Sequence, residues 1–167
     1  DDLAPKAVEK AKIEAAAIQK VINDSGESFK LKPWDWAFYA EKVRAEKYDL
    51  DPALVKPYFE MDSVIHDGLF FAMNKLYGIT FKERKDLPVY HEDVTAYEVF
   101  NADGSAIGLF YLDPYAREGK RGGAWMSAYV SQSGLKGTKP VIYNAQNIPK
   151  PAAGEPTLMT FDEVSTM

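Results

Sequence analysis

GKRGGAWMSAYVSQSGLKGTKPVIYNAQN, residues 119–147, contains the clearest strand pattern in this chain. Two apolar segments within it, residues 124–130 and 140–144, are rich in β-forming side chains and are separated by a Ser/Gly/Lys loop. The pattern predicts two strands on a turn-rich connection. Gly122 and Gly123 precede the first strand, and their missing Cβ atoms allow another backbone to approach closely. Two interpretations stay open: a glycine-rich turn that leads into a core strand, and an exposed sheet edge that pairs with an extended peptide.

Helical patterns occupy the sequence before these strands. Apolar residues recur near the helical period over residues 3–22, and residues 23–26 supply a stop signal. A second helix is predicted over residues 33–48, because a proline in the first turn loses no hydrogen bond. After an Asp-Pro start, a longer helix is predicted to end at Tyr77, with Gly78 as its left-handed cap. Its predicted apolar side consists of Val64, Ile65, Leu69, Phe70, Met73 and Leu76. The second helix is predicted to bury Trp34, Ala37, Ala40 and Val43, with Trp36 and Tyr39 beside them.

The period changes from helical to extended after residue 78. Residues 79–81, 94–100 and 106–112 are predicted strands, and the last two are joined by a hairpin loop that contains Gly104. Asp113-Pro114 is predicted to end the third of these strands. The predicted fold is therefore α+β, with N-terminal helices followed by a small antiparallel or mixed sheet. Its predicted parts are a helical segment, 1–78, and a sheet part, 79–167.

Composition excludes several classes of function. The chain has 167 residues, a net charge of −5 and no cysteine, which excludes disulfides and thiol catalysis. Its charges are mixed in sign and no apolar run approaches membrane-spanning length, so neither nucleic acid nor a membrane is a predicted partner. We expect a soluble protein. No signal-peptide pattern opens the sequence, and both cytoplasm and periplasm stay open as its location.

The side chains that usually carry hydrolytic chemistry form no recognisable motif. His66 follows Asp62 by four residues, which would place two metal ligands on one helix face, and His91 lies in an acidic turn. Neither histidine belongs to an H-E-x-x-H motif, and an ordinary helix or turn histidine explains each of them. Ser127, Ser131 and Ser133 lie in no G-x-S-x-G elbow. We therefore predict no catalytic residue and no metal ligand in this chain.

The last eight residues predict the start of a helix. Thr160 and Glu163 have the spacing of a capping box, in which each side chain binds the other residue's backbone N–H. Only residues 161–167 follow this cap, fewer than an isolated helix needs to be stable. A well-formed start with so little helix after it leads us to expect a truncated element.

Three segments in order carry a family resemblance: GGAW at 122–125, KPVIYN at 139–144 and TFDEVSTM at 160–167. They resemble the peptidyl-dipeptidase (dipeptidyl carboxypeptidase) branch of the thimet oligopeptidase family of zinc metallopeptidases. The resemblance covers about residues 33–167. In this family the H-E-x-x-H zinc helix follows a segment like TFDEVSTM. The resemblance therefore implies an internal part of a larger, mainly helical zincin-type peptidase that ends just before its zinc helix.

The resemblance also implies a function. The whole peptidase would bind zinc and release dipeptides from the C-terminus of oligopeptides, with endo-oligopeptidase action as the close relative. This chain would supply the substrate-binding edge strand, Gly122, Gly123, Ala124 and Trp125, and would be inactive alone. Its implied partners are an oligopeptide substrate and the remainder of its own polypeptide. The alternative is a non-catalytic peptide-binding or interaction module with the peptidase fold.

Overall fold

A computed structural model describes residues 2–48 and 51–167 of the chain. Their packing divides the chain into two units, Asp1–Leu54 and Val55–Met167. The first unit is helical, and the second holds every strand that the described residues form. The α+β fold class predicted from the sequence is confirmed. Residue 78 lies between the last helix before the sheet and the first strand, and as a domain boundary it stays a prediction.

Two helices form the first unit. Helix α1 spans Leu3–Asp24, and Gly26 follows it with a φ of 82°, a backbone conformation that glycine adopts without strain. A 3₁₀ turn, Pro33–Asp35, leads into α2, Trp36–Tyr48. The side chains of Ile18, Ile22 and Tyr39 are buried between the two helices. None of the described helices is long and apolar enough to cross a lipid bilayer.

The predicted buried side of α2 is partly wrong. Trp34 is 79% exposed and Ala37 is exposed, whereas Trp36, Tyr39 and Val43 pack against α1. The cause is the 3₁₀ turn, which advances by a third of a turn per residue and so breaks the register of the helix that follows. The apolar side starts at Trp36 rather than at Trp34.

Short helices follow, and the boundary between the two units falls within the first of them. Helix α3, Pro52–Val55, starts where the Asp51 carboxylate accepts a hydrogen bond from the Ala53 N–H at 2.8 Å, as its sequence predicts for a cap. Helix α4, Met61–Ser63, continues through a π-helical segment, Val64–Phe70, into α5, Phe71–Tyr77.

The end of α5 combines a confirmed prediction with a wrong one. Gly78 has a φ of 70° and caps the helix as predicted. Leu76, expected on the apolar side of a regular helix, is 71% exposed. The π segment upstream makes hydrogen bonds five residues apart and rotates the following turns away from the regular register.

Five strands form one mixed sheet. The strand order is β1-β2-β3-β5-β4, with β3 parallel to β5 and the other neighbours antiparallel. The strands are β1 Thr80–Glu83, β2 Thr95–Phe100, β3 Ala106–Tyr115, β4 Trp125–Val130 and β5 Val141–Ile148. After β3 the chain forms β4 at the edge of the sheet. It then returns as β5, which lies between β3 and β4. Strand β4 forms one edge of the sheet.

Strand β3 continues past its predicted end. It runs through Pro114 to Tyr115, and its pairing with β5 shifts register between Asp113 and Tyr115. Proline has no N–H to give to the ladder, and a local irregularity of this kind is where a strand accepts it. The shift lies next to Asp113, which is buried.

A hydrophobic core joins one side of the sheet to α4, to the π segment and to the C-terminal segment. Its buried members are Met61, Ile65, Tyr97, Leu112, Ile148 and Met159. Burial raises the pKa of Tyr97 to about 12. Backbone hydrogen bonds from Met61 N–H to the Thr157 carbonyl, 2.9 Å, and from Met159 N–H to the Phe59 carbonyl, 2.8 Å, attach the proline-rich connection to α4. Helix α6, Phe161–Thr166, follows, with the predicted capping box of Thr160 and Glu163 present.

We predict that the contact between β3 and the start of β5 tolerates no side chain at Gly108. A Cβ there would lie 2.4 Å from the Pro140 carbonyl oxygen, closer than real Cβ atoms approach. Gly108→Ala is expected to lower the free energy of unfolding by about 1–3 kcal/mol, because the backbones must separate. Gly134→Ala, where a Cβ meets nothing within 4 Å, is the control and is expected to change it by less than about 0.5 kcal/mol. Equal denaturant unfolding curves for the two variants would contradict the argument.

Candidate functional site

The four residues predicted to bind substrate lie together at the entrance to edge strand β4. Gly122, Gly123 and Ala124 are exposed, and Trp125 is half-buried as the first residue of the strand. Gly123 has a φ of 87°, which side chains rarely adopt. A Cβ built on Gly122 or Gly123 would meet nothing within 4 Å. Within the described part of the chain, the backbone at this entrance is therefore not covered by other residues.

Asn147 holds this entrance against β5. Its side-chain Nδ2 donates one hydrogen bond to the Arg121 carbonyl at 2.8 Å and another to the Gly123 carbonyl at 2.6 Å. The sequence pattern does not indicate Asn147, because it predicts a last strand that ends at Asn144, whereas β5 continues to Ile148. The longer strand places Asn147 beside the glycine loop, and the two bonds fix the carbonyl on each side of Gly122.

A buried ion cluster fixes the loop before the glycines. The Asp113 carboxylate accepts two hydrogen bonds from Arg117, at 2.6 and 2.8 Å, and one from Lys120 Nζ at 3.0 Å. Lys120 Nζ also donates to the carbonyls of Asp113, at 2.9 Å, and Tyr115, at 2.7 Å. The side chains of Asp113 and Lys120 are each only 4% exposed. The loop is therefore tied to the end of β3 by charge-assisted hydrogen bonds.

The partners of Asp113 favour its ionised form. Burial raises the pKa of Asp113, but hydrogen bonds from Arg117 and Lys120 lower it by more than burial raises it. The pKa of Asp113 therefore lies below its ordinary value. Burial lowers the pKa of Lys120, against the opposing hydrogen bond and charge of Asp113. Burial, together with the negative charge of Asp113, raises the pKa of Tyr90, whose hydroxyl donates to that carboxylate at 3.1 Å. A carboxylate that stays ionised and fully bonded has no proton to exchange near neutral pH.

A groove of about 250 Å³ lies beside the strand entrance. It is lined by Gly123 and Ala124, by residues 146–148 of β5, and by Asp162, Glu163 and Thr166 of α6. The Glu163 carboxylate is already engaged, because it accepts hydrogen bonds from the N–H and hydroxyl of Thr160 at 2.7 and 3.0 Å. The edge strand, the glycines and the start of α6 therefore border one concave surface.

The histidines do not contribute to this groove. His66 lies in the π segment, with Nδ1 2.9 Å from the Asp62 carbonyl, and the Asp93 N–H donates to Nδ1 of His91 at 3.2 Å. Within residues 2–48 and 51–167, no group of three or more His, Cys, Asp or Glu side chains is placed to hold a metal ion. The described residues therefore do not fit a zinc site, which needs three or four converging ligands.

Apolar side chains near the groove differ in how far they are covered. Phe161, the first residue of α6, is 69% exposed, although its ring lies 6.1 Å from that of Phe59. Trp125 and Met167 are half-buried, and Met167 packs against the core. Of these three apolar residues, only Phe161 is largely uncovered.

The model of Peptidase family M3 matches the chain over residues 1–167. The chain belongs to this peptidase family. The resemblance seen in the segments GGAW, KPVIYN and TFDEVSTM is thereby confirmed.

Individual M3 relatives agree with the branch suggested by the sequence. The chain is 52% identical over 166 residues to dipeptidyl carboxypeptidase of Escherichia coli (strain K12) and 48% identical over 165 residues to that of Salmonella typhimurium. Each match covers 99% of this chain and 24% of the relative. Oligopeptidase A of Escherichia coli is 40% identical over 169 residues, which cover 99% of this chain and 25% of the relative. The chain thus spans about a quarter of the length of these relatives.

We predict that Asp113 contributes pH-dependent stability. Asp113→Asn is expected to lower the free energy of unfolding at pH 7 by about 3 kcal/mol, because buried Lys120 loses its counter-charge. Since the folded pKa of Asp113 is lowered, its contribution is present above the ordinary carboxyl pKa of about 4 and is lost as the pH falls through the folded pKa. The difference between wild type and variant is therefore expected to shrink in acid.

Denaturant unfolding at a series of pH values measures this difference. Asp67→Asn, at an exposed aspartate, is the control and is expected to match wild type within about 0.5 kcal/mol throughout. A difference for Asp113→Asn that stays constant down to acid pH would show that the ionised carboxylate is not what stabilises the loop.

Proposed function

We propose that this chain is the substrate-binding part of a zinc metallopeptidase that releases dipeptides from the C-terminus of oligopeptides. Gly122, Gly123, Ala124 and Trp125 hold the peptide in this proposal. The observation that carries it is the open entrance to β4, at the edge of the sheet, in a chain 52% identical to a dipeptidyl carboxypeptidase.

Edge pairing suits a peptidase that accepts many sequences. The outer side of β4 has no neighbouring strand within the described part of the chain. An extended peptide laid there forms main-chain hydrogen bonds, which are the same for every amino acid, while alternate side chains choose among pockets. The glycines before β4 leave room for the backbone of such a peptide.

Rigidity of the entrance supports the same function. Arg117 and Lys120 tie the loop to Asp113, and Asn147 binds the carbonyls on both sides of Gly122. A backbone held in its binding conformation has less ordering entropy to lose when the peptide arrives. The strand entrance is therefore preorganised for pairing.

Zinc and the catalytic groups lie outside this chain in our proposal. The described residues offer no fitting ligand set, and the chain spans only 24% of the length of the dipeptidyl carboxypeptidases that it matches. A longer polypeptide would supply the metal ligands, and the peptide would reach them from β4. The isolated chain is expected to bind peptides without cleaving them.

We predict that Gly122→Val weakens peptide binding without destabilising the fold. The backbone of Gly122 has an ordinary φ and open space around its Cβ position, so valine fits the free chain. Its branched side chain would then occupy the space proposed for the peptide backbone. The dissociation constant of an N-acetylated pentapeptide of alanine and serine, measured by calorimetry, is expected to rise at least about tenfold, equal to about 1.4 kcal/mol.

Gly134→Val is the matched control for this experiment. It also has open space and an ordinary φ, but it lies in the loop between β4 and β5. Wild-type affinity is expected for this variant, with equal thermal stability for both. Unchanged peptide affinity in Gly122→Val would remove the strand entrance from the binding site.

Catalysis separates the peptidase from the alternative of a non-catalytic binding module. A longer polypeptide that contains this chain is expected to release dipeptides from the same pentapeptide with zinc and to stop when a chelator is added. The 167-residue chain is expected to show no turnover under either condition. Mass spectrometry of the products checks both. Zinc-dependent turnover by the short chain, or peptide binding without cleavage by the long one, would contradict the proposal.

A further inference from the structure

Gln146 is a buried polar side chain with an unused hydrogen-bond donor. The residue is 3% exposed, and its Nε2 is buried without a partner among the described residues. Folded proteins pair nearly all such groups, because a buried amide that has lost its water and found no partner is costly. An unpaired donor in an ordered strand therefore requires an explanation.

The location of Gln146 indicates what the missing partner is. It lines the groove beside β4, together with Gly123 and Ala124. Glu163 lines the same groove, but its Oε2 accepts from Thr160, and neither of its carboxylate oxygens accepts a hydrogen bond from Gln146. The final side-chain torsion of glutamine is broad, so a modest rotation turns Nε2 toward the groove.

We propose that Nε2 of Gln146 donates a hydrogen bond to a main-chain carbonyl oxygen of the peptide bound at the entrance to β4. This inference rests on the proposed function, because Gly123 and Ala124 belong both to the strand entrance and to the groove. A peptide paired with the entrance brings its own backbone alongside these two residues. Its carbonyl supplies the acceptor that Gln146 lacks.

The charges of the groove identify the kind of carbonyl. Among the described residues that line it are the carboxylates of Asp162 and Glu163 and no cationic side chain. A free C-terminal carboxylate would be repelled there, whereas a neutral peptide carbonyl carries no net charge. Gln146 therefore binds an internal peptide unit, and the C-terminus of the substrate is bound elsewhere.

The experiment uses the 167-residue chain and the N-acetylated pentapeptide in two forms, one with a free carboxylate and one with a C-terminal amide. Gln146→Met keeps the length of the side chain and removes the donor. Its dissociation constant is expected to rise about three- to tenfold for both forms, the loss of one neutral hydrogen bond. Gln132→Met, at an exposed glutamine in the loop after β4, is the matched control and is expected to bind as wild type does.

A second measurement needs no substitution at Gln146. In wild-type chain labelled with ¹⁵N-glutamine, the side-chain amide signal of Gln146 is expected to move on peptide addition. The signals of Gln19, which bonds Phe29 and Asn23, and of exposed Gln132 are expected to stay in place. Unchanged affinity in Gln146→Met with no movement of the Gln146 signal would overturn the inference.

The outcomes also separate this inference from the proposed function. If Gly122→Val weakens binding and Gln146→Met does not, the edge strand binds peptide and Gln146 takes no part. If Gln146→Met weakens only the form with a free carboxylate, the groove holds the C-terminus and the inference is wrong. If wild-type chain binds neither form, the proposed function and the inference both fail.

Discussion

The carboxylate of Asp113 is the group on which the arrangement at the sheet edge depends. It is buried where β3 shifts register around Pro114, and a buried charge is tolerated only if its partners are present. Those partners, Arg117 and Lys120, lie in the loop that follows β3. The loop is consequently fixed over the end of the strand, since any movement away from it would leave charges unpaired in a dry environment. A surface loop with several glycines thereby acquires a defined path.

Strand order places the strand that follows this cluster, β4, at the edge of the sheet. After the ion cluster the chain runs outward to β4 and then returns as β5 between β4 and β3. The side chain of Asn147 on β5 binds the glycine loop from the inner side, so the loop is held at both of its ends. Because Asn147 binds the loop from the β5 side, the outer side of β4 stays unpaired among the described strands. The return of β5 to an internal position therefore does two things. It places Asn147 where it can bind the loop, and it leaves β4 at the edge of the sheet.

Features with a local signal could be predicted from the sequence, and those that depend on distant partners could not. Gly78, Gly104 and the Thr160–Glu163 capping box each depend on backbone conformation within a few residues, and all three have the predicted conformation. The four residues of the proposed site were recognised by family resemblance. Asn147 was missed because its acceptors lie 26 and 24 residues away, and no short pattern marks that pairing. The 3₁₀ turn before α2 and the π segment after α4 were missed because tertiary packing selects them over the regular helical period.

Gln146 and Asn147 show how two neighbouring amides on one strand come to have different roles. Both residues line the groove, but successive side chains of a strand point to opposite faces, so the two amides reach different groups. Asn147 finds two carbonyls within the fold and stabilises the loop. Gln146 lines the groove with its donor unsatisfied, although a methionine of similar size would fill the same space without that penalty. A polar group that weakens the free protein is explained if it is paired in a bound state. In our proposal that state forms when a peptide takes the outer position beside β4, which has no neighbouring strand there among the described residues.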